Sequence, residues 1–260
     1  MSKTALITGS SNGIGYELAK VHAEKGDNLV LVARNKSKLD ELKKELEEKY
    51  KVSVYTIGKD LSLPGAAREV YDEIKKKSIS IDYLVNNAGF GDFGLFADSD
   101  WSKQEQMINL NVTALAHFTR LFLPDMISRG SGKILNVAST ASFQPGPTMS
   151  VYFATKAFVL SFSEAVNNEV RESGITVTAL CPGATHSGFQ AAASMQDSKL
   201  FEGNNFPTSR EVAEYGYRAM MKGRTVAIHG LKNKIMANSV RFAPRSLVVK
   251  ITRKIQAKKY

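Results

Sequence analysis

Short apolar runs, each followed by a segment of helical periodicity, recur along nearly the whole chain, and this alternation limits the possible folds more than any other feature. "TALITG" (4–9) is an apolar run ending in glycine. "GYELAKVHAEKG" (15–26) then sets Leu18, Val21 and His22 at helical spacing and closes on Gly26, as a helix C-terminus would. "NLVLVA" (28–33) is apolar throughout, which suits a strand covered on both faces. "SKLDELKKELEEKY" (37–50) turns Leu39, Leu42 and Leu46 to one side of a helix, and "VSVYTI" (52–57) reads as the next strand. The pattern continues with a helix at 64–77, a strand at 81–89, a long helix from about 102 to 128, a strand at 132–139, a helix around Tyr152, a strand at 174–183, a helix at 209–223 and a short last strand at 224–230. No repeat, low-complexity linker or hairpin signal interrupts it. Strands separated by helices predict an α/β architecture, one doubly wound parallel sheet in a single domain over 1–230, followed by a helical tail over 231–260.

Sheets of this kind hold ligands at the carboxyl ends of their strands, where the strand order reverses. After the first strand comes "TGSSNGIG", Thr8 to Gly15. Gly9 permits a tight turn, Gly13 lets backbone approach a phosphate, and Gly15 lets the helix pack close to the strand, while the helix N-terminus attracts negative charge. The whole turn, with Ser10, Ser11, Asn12 and Ile14 between the glycines, is the expected cradle for a dinucleotide pyrophosphate. The second strand ends in "LVLVARN". Where a carboxylate would hold a ribose 2′-hydroxyl, this chain has Ala33 and then Arg34, whose guanidinium can pair with a 2′-phosphate. Asn35 and Ser10 can add hydrogen bonds. NADP(H) is therefore expected in preference to NAD(H).

"SVYFATKAF" (150–158) places Tyr152 and Lys156 one helical turn apart on a common face. Alone, such a pair usually marks a snorkelling amphipathic helix. Read with the glycine turn, "KDL" after the third strand, "NNAG" (86–89), Asn111 ahead of "FLP", Ser139 and "PG" (182–183), the chain resembles the short-chain dehydrogenase/reductase family, in the family's motif order, over roughly residues 3–228. Within it, "NLNVTAL" and the basic tail are most similar to a bacterial branch of NADP-dependent oxidoreductases. The resemblance implies a seven-stranded Rossmann-type sheet, a homodimer or homotetramer, and hydride transfer between the nicotinamide cofactor and a small-molecule carbonyl or alcohol. It also implies roles. Tyr152 is the general acid/base, and Lys156 lowers the phenol's pKa and holds the nicotinamide ribose. Ser139 holds the substrate oxygen, and Asn111 anchors a water that links Lys156 to solvent. Asp60 and Leu61 flank the adenine, Asn87, Ala88 and Gly89 line the cofactor cleft, and Pro182 and Gly183 turn the chain beneath the nicotinamide. The family's threonine five residues after that proline is replaced by Ser187, with Thr185 two before it, so either hydroxyl is a candidate for the carboxamide.

The remaining features bound the rest. Net charge is +10, but eleven of the 35 Lys/Arg lie from Lys222 onward, where there is no Asp or Glu, leaving 24 basic against 25 acidic groups before them. With no aromatic–basic interleaving, this distribution argues against nucleic acid as a partner. The four histidines are scattered and Cys181 is alone, so no metal site or disulfide framework is expected. "MSKTALITGS" enters a strand-like run without a basic segment and apolar core, so a cytoplasmic protein is the expectation. Residues 184–208 read as a substrate lid made apolar by Phe189, Met195, Leu200 and Phe201. With Phe90, Phe93, Phe96, Phe143 and Pro145 on other loops, they point to an apolar carbonyl substrate. In the tail, Leu247, Val248, Ile251 and Ile255 share a helical face opposite lysines and arginines, with Pro244 breaking the helix. Docking on the body or on a second subunit is placed first for this tail. Contact with an anionic membrane surface is the alternative. Two rivals to the enzyme are an NADP(H)-binding regulator without turnover and a membrane-surface adaptor.

Overall fold

The computed structural model describes residues 2–186 and 206–256. Seven parallel strands form one sheet in the order β3-β2-β1-β4-β5-β6-β7. In chain order the first half is β1 (Thr4–Thr8), α1 (Gly13–Glu24), β2 (Asn28–Ala33), α2 (Lys36–Tyr50), β3 (Val54–Gly58), α3 (Ala66–Lys76) and β4 (Tyr83–Asn86). Then follow α4 (Trp101–Ile108), α5 (Leu115–Arg129), β5 (Gly132–Val137), α6 (Ser150–Val170), β6 (Ile175–Cys181), α7 (Ser209–Met221) and β7 (Val226–Ile228). The tail folds as α8 (Leu231–Ser239) and α9 (Arg245–Gln256). The expected doubly wound sheet is thus present, with its reversal of order between β1 and β4.

Both faces of the sheet are buried, which explains why its strands read as continuous apolar runs rather than alternating ones. Leu29 and Leu31 pack on one side with Leu18, Leu39 and Leu46, while Val30 and Val32 pack on the other with Val70, Ile74 and Phe118. His22, read above as one of α1's apolar-face positions, is fully buried, and its Nδ1 is hydrogen-bonded to the Asp27 carboxylate, which accepts, at 2.7 Å.

One predicted element carries a local irregularity. The helix expected over about 102–128 is present without a break, but within it α4 and α5 are joined by a π-helical segment, Asn109–Ala114. At its centre Asn111 is buried and tied outside its own helix. Its amide donates to the Phe90 carbonyl and to Thr155 Oγ1 at 3.0 and 3.1 Å, and its Oδ1 accepts from the Phe90 N–H at 3.2 Å. A wide turn places this side chain where it meets both partners, a requirement that helical periodicity does not record.

A polar relay crosses the apolar interior beneath the strand ends. Asn86 Nδ2 donates to Asn136 Oδ1 at 2.9 Å, and Asn136 Nδ2 donates to Ser163 Oγ on α6 at 2.9 Å. It joins β4, β5 and α6 by side chains alone.

Candidate active site

The turn after β1 is shaped by its glycines. Gly9 has φ +67°, and a Cβ there would lie 2.8 Å from Ala88 Cα. A Cβ on Gly15 would lie 2.4 Å from the Gly9 carbonyl oxygen and from Asn87 Nδ2, so the first turn of α1 seats directly on the loop and on the end of β4. Thr8, at the end of β1, holds the two strand ends together: its hydroxyl accepts from the N–H groups of Asn87 and Ala88, both at 3.0 Å. Asn87 in turn donates its amide to the Thr8 and Gly9 carbonyls. Asn12 stands at the N-cap of α1 without capping it through its side chain, and no acidic residue lies in the first turn. That end of the helix keeps N–H donors and positive potential for an anion.

From this turn a single cleft of about 1310 Å³ runs along the carboxyl edge of the sheet. Gly9, Ser11, Asn12, Gly13 and Ile14 line its middle. Arg34, Asn35, Asp60 and Leu61 line one end, Asn87, Ala88 and Gly89 the floor, and Ser139, Tyr152, Lys156, Pro182, Gly183 and Thr185 the other end. Three cations, Arg34, Lys38 and Lys59, gather at the first end, where only Arg34 was expected. Asp60 sits among them. Burial works to raise its carboxyl, but hydrogen bonds from the Ser62 hydroxyl and N–H, with the Arg34 charge, hold it below the usual range.

Several candidates are placed differently from expectation. Ser10 is fully buried, and its hydroxyl has no partner among the described residues, so it faces inward and is not on the cleft. Gly15 is a packing residue behind the turn. Asn35 spends its Oδ1 on the Lys38 N–H as the N-cap of α2. Thr185 turns its hydroxyl back to the Gly183 carbonyl at 2.9 Å. Asn111 lies behind the cleft wall, although a Cβ on Gly89 would fall 2.9 Å from its Oδ1 and 3.5 Å from Lys156 Nζ. Ser187 and most of the lid over 184–208, with Phe189, Met195, Leu200 and Phe201, lie outside the described residues. Of the loop aromatics, Phe90 lines the cleft, Phe93 packs behind it with Met107 and Tyr152, and Phe96 points outward.

Tyr152 and Lys156 do share the inner face of α6, with the ammonium 5.8 Å from the centre of the phenol ring. Their electrostatics run against the expectation that Lys156 pulls the phenol down. Burial pushes Tyr152 up to about 12, opposed by a hydrogen bond with Ser139, and burial pushes Lys156 down to about 8. One of the three Lys156 donors goes to the Val137 carbonyl at 2.8 Å, which ties the lysine to the end of β5. Ser139 is fixed by accepting from the Ala141 N–H at 3.1 Å. Cys181, buried at the end of β6, has its thiol pushed up to about 12 by burial and is chemically quiet.

The Lys156 shift carries a stability prediction. Below pH 8 the lysine is protonated in both folded and unfolded chains, and the folded chain bears the whole burial penalty. Between about 8 and the ordinary 10.5 the folded chain releases the proton first, so stability rises with pH through that window. Urea melts of the wild type and of Lys156→Met at pH 7.5 and 10 are expected to shift the difference toward the wild type by up to about 3 kcal/mol. A difference that does not change with pH would show that the lysine is neutral or solvated throughout.

A doubly wound sheet with a glycine turn and an uncapped helix start at the middle of one cleft, and a serine, tyrosine and lysine at its far end, is the architecture of a Rossmann-type fold with a candidate ligand site. Comparison with known proteins makes the assignment specific: residues 3–198 match the family described as short chain dehydrogenase, and the chain belongs to the short-chain dehydrogenase/reductase family. The human very-long-chain 3-oxoacyl-CoA reductase is 36% identical over 188 residues, covering 70% of this chain and 59% of that protein. The chain thus spans about three-fifths of the length of the curated relatives it matches. A short-chain dehydrogenase from Sphingobium yanoikuyae, solved in complex with NADPH, superposes with a TM-score of 0.84 at 32% identity, covering 99% of each chain. The bulky-bulky ketone specific alcohol dehydrogenase from Comamonas testosteroni gives 0.79 at 31% identity, covering 92% of each.

Four groups not singled out from the sequence also line or brace the cleft: Thr8, Lys38, Lys59 and His229. Thr8 could have been found, since a hydroxyl residue at a strand end before a turn glycine has backbone N–H groups within reach. Lys38 lies on the first turn of α2, beside the strand end that carries Arg34. His229 lines the cleft between β7 and α8, and nothing in its local sequence distinguishes it from a surface histidine.

Proposed function

We propose that the chain is an NADP(H)-dependent reductase of apolar ketones or aldehydes, or the corresponding alcohol dehydrogenase, with Tyr152 as general acid/base. The observation that carries this reading is the continuity of one cleft from the cationic group around Arg34, past the glycine turn, to Ser139, Tyr152 and Lys156, and on to an apolar wall. The residues fit a dinucleotide: the Gly9 turn leaves no room for a side chain where backbone must approach a pyrophosphate, and the uncapped start of α1 supplies donors. When bound, that cofactor supplies or accepts the hydride.

The protein's own share is orientation and proton movement. Ser139, held by the Ala141 N–H, turns its hydroxyl to the substrate oxygen beside Tyr152. The Tyr152 phenol, kept protonated by burial, gives its proton to that oxygen in the reductive direction and takes it back in the oxidative one. Lys156 keeps two N–H donors beyond its bond to Val137 for the ribose hydroxyls and the phenol. Asn111 holds the Phe90 backbone against the floor of the site and anchors the water path behind Lys156. Arg34, with Lys38 and Lys59, favours a 2′-phosphate over a free 2′-hydroxyl. The exposed face of α6 formed by Ala154, Ala157, Phe158 and Ser161 is the surface on which a second copy would pack in a homodimer or homotetramer.

Apolar substrates are favoured by the wall opposite the turn, where Phe90, Met149, Phe153, Met236, Val248 and Ile251 line the cleft. A panel of ketones and alcohols assayed by nicotinamide absorbance with NADPH and NADP⁺ tests the reading. Aryl and long-chain ketones are expected to give the highest kcat/KM. Turnover confined to small polar ketones would remove the substrate assignment, and no turnover across the panel would remove the enzyme.

A further inference from the structure

The tail has a property that the active site does not use. Large apolar side chains stand in the open on both of its helices and at the turn between them: Phe242 is 89% exposed, Leu231 74% and Ile235 62%, with Leu247 and Ile251 about half exposed. Every charged residue within the two helices and their turn is positive. Lys232, Lys234, Arg241, Arg245, Lys250 and Arg253 are all exposed, and no Asp or Glu occurs from Lys222 onward. One face of helix α9 is covered, with Val248, Thr252 and Gln256 buried. That leaves the rest of its apolar face uncovered. Ile251 and Ile255 show why that matters: both line the cleft and both are open to solvent, so the apolar wall of the substrate site runs out onto the surface of the tail.

We infer that the α8–α9 segment rests on an anionic lipid surface, with Phe242 and Leu231 entering the acyl boundary and the lysines and arginines meeting the headgroups. Exposed apolar side chains framed by cations of one sign match an interface whose interior is oily and whose rim is negative. A second copy of this face is a poor match, because two-fold pairing would set one all-positive segment against another. No helix among the described residues is long and apolar enough to span a bilayer, so the contact is a surface one. The consequence for the substrate rests on the proposed function: an apolar carbonyl compound dissolved in the bilayer reaches the cleft along Ile255 and Ile251 without crossing water. The lipid contact itself does not depend on that reading.

Sedimentation of the full chain with sucrose-loaded vesicles tests the contact, using phosphatidylcholine alone or phosphatidylcholine with about 25% phosphatidylglycerol. Binding is expected to the anionic vesicles, with release in roughly 0.5 M salt. Phe242→Ser should lower the partition constant by about tenfold through loss of one inserted ring. Arg241→Gln with Arg245→Gln should lower it comparably on anionic vesicles. Turnover of a water-soluble ketone should be unchanged in both variants, since none of these residues lines the cleft. Absence of binding, or equal binding to neutral and anionic vesicles, would overturn the inference. So would a fall in sedimenting mass caused by Phe242→Ser in vesicle-free solution, which would assign the face to a second copy. Vesicle binding by a protein that reduces nothing would leave the lipid contact standing and remove only the enzyme.

Discussion

Tyr152→Phe is expected to lower kcat for ketone reduction by roughly 10²–10⁴-fold, the range spanned by removal of a positioned acid, while leaving the affinity for NADPH within about twofold. The asymmetry follows from where the hydroxyl sits. Tyr152 is 9% exposed, its ring packs in the cluster of Met107, Met149 and Phe153, and phenylalanine fills the same space without a cavity. What is lost is the hydrogen bond with Ser139 and the one proton that burial holds ready at the substrate carbon's oxygen. Fluorescence titration of NADPH and steady-state assays on the same preparation separate the two effects. A variant that keeps more than about a tenth of wild-type kcat would transfer the acid role to another group or to water.

The second large effect is at the opposite end of the cleft. Arg34→Asp is expected to reduce the ratio of kcat/KM for NADPH over NADH by about 10²-fold or more. A charge-assisted bond contributes about 1.5–3 kcal/mol, and the new carboxylate both repels a 2′-phosphate and can accept from a free 2′-hydroxyl. Arg34 is exposed at the end of β2, and no bond to it is needed by the sheet, so folding should be unaffected. Lys38 and Lys59 stay on the same rim, and combining Arg34→Asp with Lys38→Ala should deepen the switch. Lys59 is a poorer target because it is paired with Glu69. An unchanged cofactor ratio in the double variant would show that the cations serve solubility and not discrimination.

The parts of the fold that were legible are those governed by short-range rules. Two buried faces make β2 continuously apolar, a turn that needs positive φ takes Gly9, and an i,i+4 spacing sets Tyr152 above Lys156. The parts that were not legible depend on what arrives from elsewhere in the chain. The wide turn at Asn109–Ala114 exists because Asn111 meets Phe90 and Thr155, which lie 21 and 44 residues away. The inward turn of Ser10 follows from the way the loop seats on β4, and residue identity alone does not reveal it. The same holds for the Tyr152–Lys156 pair: spacing predicts proximity, but burial, not proximity, sets the direction in which each group titrates. The tail illustrates the limit most plainly. Its periodicity identifies an amphipathic helix, yet only the packing shows that Ile251 and Ile255 line the cleft as well as the outer surface.

The asparagine–serine relay beneath the strands has a further meaning. Ser163 lies seven residues past Lys156, two turns along the same helix, and is bonded through Asn136 to the strand that precedes the "NNAG" loop. Apolar contacts would tolerate a small slide of that helix along the sheet, whereas a bonded amide accepts one setting. The relay therefore acts as a detent: it indexes Tyr152 against the glycine turn, and an all-apolar replacement of Asn86, Asn136 and Ser163 should melt at least as high while letting the phenol wander from its place.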